Sequence, residues 1–151
     1  MLFRTPALVL TLLALSIAPG KAQEAQDNAA LIGELMAFHG SEAIVNVMTT
    51  HCYETTGLDD SYKTAAENWY LRNISYLDLA DRVIDMLGGA AEGDLKAARE
   101  YGGSQIMSAY NQAGDQDTFC RTFLEQVESG AFDIDKQLPG PLERAQEISA
   151  S

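Results

Sequence analysis

Apolar positions along this chain recur at intervals of three and four, and nowhere does a period-two alternation run long enough to make a strand. Leu31, Ile32, Leu35, Met36 and Phe38 mark a helix from Asn28 to His39, with Asp27 as its cap and Gly40 in the position that favours a left-handed residue just past a helix end. Ser41, followed at once by Glu42, reads as the start of a second helix through Ile44, Val45, Val47, Met48 and Cys52, fading at Thr56-Gly57. The Val- and Thr-rich stretch from Ile44 to Thr50 keeps a strand open as the weaker alternative.

Asp59-Asp60-Ser61 is a restart signal for the longest segment, Tyr62 to Leu87. There Ala66, Trp69, Tyr70, Asn73, Leu77, Ala80, Ile84 and Leu87 form one stripe with a single polar interruption, Asn73, and Gly88-Gly89 ends it. A fourth segment starts near Asp94 and runs through Leu95, Ala98 and Tyr101. Gly102-Gly103 interrupts it, and Ser104 can cap a continuation through Ile106, Met107 and Tyr110; the pattern fits one kinked helix or two short ones. The last clear helix is capped by Asp115 or Asp117, carries Phe119, Cys120, Phe123, Leu124 and Val127 on one face, and closes at Gly130. Residues 137–151, with Pro139-Gly140-Pro141, read as a polar, flexible tail that is at most a loose helix. The expectation is an all-α domain over residues 23–136, a small bundle of four to five helices without internal repeats.

The start of the chain changes the setting. Met1 to Pro6 carries one positive charge, Arg4; an apolar run from Ala7 to Ala18 comes next, and Gly20 and Ala22 supply two small residues around a cleavage point after Ala22. That is the plan of a secretory signal peptide over residues 1–22, with cleavage after Ala18 as the alternative. The run is shorter than the roughly 20 residues a membrane span needs. The expected mature chain has 129 of the 151 residues, one ordinary domain. No stable membrane insertion is expected after cleavage, and the expected compartment is the periplasm of a Gram-negative bacterium.

Export gives the two cysteines, Cys52 and Cys120, a compartment in which disulfides persist, and one internal bond between them is the economical pairing. It would clip the second helix to the last one, and closing so long a loop is worth roughly 4 kcal/mol in the chain-entropy model. Neither cysteine belongs to a Cys-x-x-Cys pair, so thioredoxin-like and haem-attachment motifs are absent. In layout the chain resembles the small helical two-cysteine periplasmic proteins of Gram-negative bacteria; the likeness carries over no residue roles.

With 22 acidic and 10 basic residues the net charge is −12. The signal takes two of the basic residues and none of the acidic ones, which leaves the mature chain at −14. Such a surface repels phosphate backbones and anionic headgroups and suits a basic partner. Nucleic acid is therefore not an expected partner.

No catalytic, cofactor or metal constellation stands out. Met48-x-x-His51-Cys52 sets three soft or borderline ligands on neighbouring positions, but a disulfide removes Cys52, and His39 would sit about 120° away around a continuous helix. Asp78, Asp81 and Asp85 read as a solvated row interleaved with Arg82. Asp115-x-Asp117 and Asp133-x-Asp135 begin like calcium loops, and both fail at the third ligand and at the turn glycine. Gly102-Gly103-Ser104 is a break and a cap, because no lysine comes after it as in a phosphate-binding loop. No Gly-x-Ser-x-Gly elbow is present, and Asn73-Ile74-Ser75 matches a glycosylation sequon in mid-helix.

The aromatics are suggestive. Tyr62, Trp69, Tyr70 and Tyr76 lie on the long helix, and tyrosine, apolar in body and polar at its tip, is enriched at interfaces. They form the candidate binding surface. The expected function is that of an exported, soluble, non-enzymatic helical protein that binds a protein or small partner and needs no cofactor. The alternatives are an acid-responsive periplasmic chaperone and an inhibitor or immunity-type binder of a basic enzyme.

Overall fold

The computed structural model describes residues 19–151, and every regular element among them is helical. The apolar core of the expected signal peptide lies outside the described residues; the expected cleavage point after Ala22 falls in the exposed first turns of the first helix. The helices are α1 (Pro19–Thr55), α2 (Ser61–Met86), α3 (Asp94–Gln112), α4 (Gln116–Glu128), α5 (Ile134–Gln137) and α6 (Pro139–Ala150). None of them is long and apolar enough to cross a membrane.

α1 corrects the expected pair of helices. It continues through Gly40 and Ser41 without a break, and Asp27, expected as a cap, is an exposed mid-helix residue that accepts a hydrogen bond from Gln23. Ser41 donates to the carbonyl of Ala37 one turn back instead of capping a new start. The reason is tertiary. Gly40 sits where α1 meets α3, and a Cβ on it would lie 3.2 Å from the carbonyl oxygen of Ala98. Glycine here lets two backbones approach; it does not end a helix.

The same contact explains why α3 is one helix. Gly102 and Gly103 are both buried within it, and a Cβ on Gly102 would overlap the carbonyl of Gly40. Ser104 points its hydroxyl back to the carbonyl of Tyr101 and caps nothing. Glycine costs about 1 kcal/mol relative to alanine in a helix interior, and close packing offsets that cost.

The expected boundaries elsewhere are present. Asp59 accepts from the backbone N–H of Ser61 at the start of α2, Gly88 and Gly89 turn out of it with positive φ, and Asp115 accepts from the N–H of Thr118 at the start of α4. Cys52 and Cys120 are bonded, with Cα atoms 5.6 Å apart, so the staple ties α1 to α4. Around it the core gathers Phe38, Val45, Met48, Trp69, Val83, Phe123 and Val127.

The C-terminal segment is also corrected. Residues 139–150 form a helix that starts on Pro139 and packs on α2, with Leu142 and Ala145 buried and Arg144 paired with Glu34 of α1. Proline at a first helical position gives up an N–H that would have had no partner, and Leu142, Ala145 and Ile148 then fall on one face.

Candidate functional site

The four aromatics expected to form a binding surface do not form one. Tyr62 and Trp69 are core residues, and Trp69 donates its indole N–H to the carbonyl of Phe132 at 2.9 Å. Tyr76 is half-buried against the core, and Tyr70 is the exposed member of the set. The heptad spacing of positions 62, 69 and 76 explains this, because residues seven apart share one helix face and that face is turned inward. Burial pushes the Tyr62 phenol up from its ordinary range.

Asn73, the polar interruption in the α2 stripe, is wholly buried and fully bonded. Its amide donates to the Trp69 carbonyl at 2.8 Å and to Asp133 at 3.0 Å, and its oxygen accepts from the N–H of Ile134 at 2.8 Å. Arg72 grips the same Asp133 with two nitrogens and donates to the Val127 carbonyl. The knot pins the α4–α5 connection to α2, and it leaves the sequon asparagine no access to solvent.

Several of the other singled-out groups have structural partners. Asp133 belongs to the knot, Asp115 caps α4, and Asp135 pairs with Lys136. Thr118 N–H and hydroxyl hold the Asp115 carboxyl below the usual carboxylate range. Met48 lies against the disulfide, with its sulfur 3.5 Å from that of Cys52. His51 sets its ring edge-on to Tyr110 at 4.4 Å between centroids, while His39 pairs with Asp81. Among the described residues no group of three His, Cys, Asp or Glu is placed to hold a metal ion.

What the α1–α3 approach does create is a groove. Gly33, Ala37, Gly40, Ser41 and Ile44 line it from α1, and Ala98, Tyr101, Gly102 and Gln105 line it from α3. Gln137 and Leu138, at the junction of α5 and α6, close one side. Its volume is about 410 Å³, within the roughly 300–1,000 Å³ of small-molecule sites. Glycines and alanines leave the floor low, and Ile44 and Leu138 make it apolar. Tyr101, 65% exposed, stands at the rim with its hydroxyl accepting from Gln105 at 2.7 Å. Among the described residues no carboxylate, lysine or arginine lines the groove, in a chain of net charge −12. By contrast, a pocket between α2 and the α2–α3 connection holds Asp81, Asp85 and Glu92, and one between α1 and α2 holds Glu54, Lys63 and Glu67.

The spacing of 33, 37, 40, 41 and 44 was open to a sequence reading as a stripe of small residues. What it lacked was the second stripe, 98, 101, 102 and 105, which only the packing of α3 identifies as its partner. Compared with protein-family models, curated proteins and solved structures, the chain matches none.

Proposed function

We propose that this is an exported, non-catalytic binding protein and that the α1–α3 groove seats its ligand. The observation that carries the reading is the uncharged, largely apolar lining of that groove in a strongly acidic chain. Such a lining takes an uncharged small molecule, or an apolar side chain or segment of a partner, with the amide oxygens of Gln105 and Gln137 left to orient it, since their nitrogens donate to the Tyr101 hydroxyl and the Ala131 carbonyl. The acidic exterior favours a partner whose surrounding surface is basic.

Export rests on the sequence of residues 1–22, and the Cys52–Cys120 bond fits an oxidising compartment. Gly20, Lys21 and Ala22 of α1, just ahead of the expected cleavage point, are exposed, so the folded domain is compatible with processing there.

The test uses Nile red, an uncharged apolar dye, with wild type and Ala37→Phe. Ala37 is half-buried and lines the groove, so a phenyl ring there fills the space. Saturable dye binding to the wild type, lost in a variant that keeps its helical signal and melting temperature, is the expected result. No saturable binding, or equal binding by both proteins, would overturn the reading.

A further inference from the structure

The α1–α3 groove has a continuation along α3. Just past Gln105, Ile106 and Ala109 line a second pocket, of about 260 Å³, together with Phe119, Phe123 and Phe132. Gly102 in the first pocket and Ala109 in the second are seven residues apart, so they share one face of α3 and lie roughly 10 Å apart along it. The rings of Phe119 and Phe123 stack at 6.4 Å between centroids, and Phe132 stands 5.0 Å from Phe123.

A second wall runs past both pockets. Phe132 bounds one and Gln137 and Leu138 bound the other, and the Gln137 amide donates to the carbonyl of Ala131, next to Phe132, at 2.8 Å. Trp69 and the Asn73–Asp133 knot hold this wall to α2. α3 packs on α1 along its length and touches α4 sparingly, which leaves the slot between α3 and that wall unfilled. Among the described residues neither pocket is lined by a charged side chain, and three amides, Gln105, Gln126 and Gln137, stand along the slot.

Two apolar pockets in a row take two apolar side chains roughly 10 Å apart on one side of a ligand. A helix supplies such a pair at i and i+7, with a backbone whose hydrogen bonds are already made. An extended segment arrives with free N–H and C=O groups. The amide oxygens of Gln105 and Gln137 can accept from the former, and the Gln126 amide can donate to the latter. In a β-strand, side chains on one face are spaced by roughly 7 or 13 Å, whereas polyproline II brings i and i+3 to one side roughly 9 Å apart.

We propose that the slot along α3 seats an extended, polyproline-II-like segment of a basic partner protein, with one apolar side chain of an i, i+3 pair in each pocket. The proposal rests on the α1–α3 groove being a ligand site and narrows its ligand to a peptide. Basic residues flanking the pair meet the exterior of a chain of net charge −12, and the pair itself meets an uncharged interior.

The probe is an end-labelled synthetic peptide with leucines at i and i+3, two prolines between them and lysines on both sides, titrated by fluorescence anisotropy. In the controls either leucine becomes serine, or the leucines stand at i and i+2. The two-leucine peptide is expected to bind at least about tenfold more tightly than each control, the gain from burying one more leucine. Ala109→Phe, at an exposed position lining the second pocket, should remove that advantage and leave Nile red binding in the first pocket intact. Equal affinity of wild type for all the peptides would overturn the proposal even where Nile red binds, and it decides the matter should the variant not fold. So would an undiminished advantage in Ala109→Phe, or tighter binding of an alanine-rich helix with leucines at i and i+7. Dimerisation of the chain that excludes the peptide would overturn it too. Absence of saturable Nile red binding would take away the groove itself, and the proposal with it.

Discussion

Gly102 of α3 and Gly40 of α1 touch backbone to backbone: a Cβ built on Gly102 would lie 3.0 Å from the Gly40 Cα and overlap its carbonyl. This contact makes α1 and α3 continuous where glycines suggested breaks, and it sets the floor of the groove. Gly103 differs, since a Cβ there meets only a methyl of Val47 at 3.2 Å, and Gly33 has open space. Alanine substitutions should therefore separate by position. Gly102→Ala is expected to cost about 2 kcal/mol or more by forcing two backbones apart. Gly103→Ala should cost less, and Gly33→Ala should stabilise by about 0.5–1 kcal/mol as a helix-interior glycine is replaced. Urea unfolding of the three variants reads the order directly, and a harmless Gly102→Ala would contradict the packing.

Asn73→Ala leaves the buried N–H of Ile134 without its acceptor and removes a partner of Asp133. The expected loss is about 2–3 kcal/mol, the cost of unsatisfied buried polar groups. Denaturant midpoints give the number. A change within a few tenths would mean that the α4–α5 connection is not pinned through this residue.

Leu142→Ala tests the C-terminal helix. Leu142 is 5% exposed against α2, and truncating a buried leucine costs about 2–5 kcal/mol. A tail detached from the domain would tolerate the change, so an unaltered melting temperature would restore the flexible-tail expectation.

The α4 cap supplies a pH dependence. Asp115 is held below the ordinary carboxylate range by its bonds to Thr118, so its contribution is present above that range and is lost as pH falls through the lowered folded value. Asp115→Ala should lower the melting temperature at neutral pH and converge with wild type as pH falls through that lowered value. Asp115→Ser, which caps without titrating, should hold its advantage over alanine at both ends. A gap between wild type and Asp115→Ala that does not narrow in acid would count against the cap.

The elements legible in the sequence were those set by local chemistry. Asp59-Asp60-Ser61, Asp115, Gly88-Gly89 and Gly130 mark ends through hydrogen bonds or backbone conformations made within a few residues, and the two cysteines left one economical pairing. Gly40 and Gly102 misled because a glycine that ends a helix and one that admits a second backbone look alike until the partner helix is placed. Pro139 misled in the same way, since a proline that stops one helix and one that starts another differ only in the residues C-terminal to them. Trp69 and Tyr62 carried a signal for burial in their seven-residue spacing, and that signal outweighs the interfacial habit of aromatic side chains. The groove was beyond reach because one of its walls comes from a helix more than fifty residues further along the chain.

Native mass spectrometry of the protein purified from its own cell envelope, with denaturation afterwards on the same instrument, tests the binding claim most directly. The account predicts a chain beginning at Gln23, lighter by two hydrogens for the Cys52–Cys120 bond, with extra mass in the native ion that leaves on denaturation and is absent from Ala37→Phe. A bare native ion, or bound mass retained equally by Ala37→Phe, would contradict a ligand seated between α1 and α3.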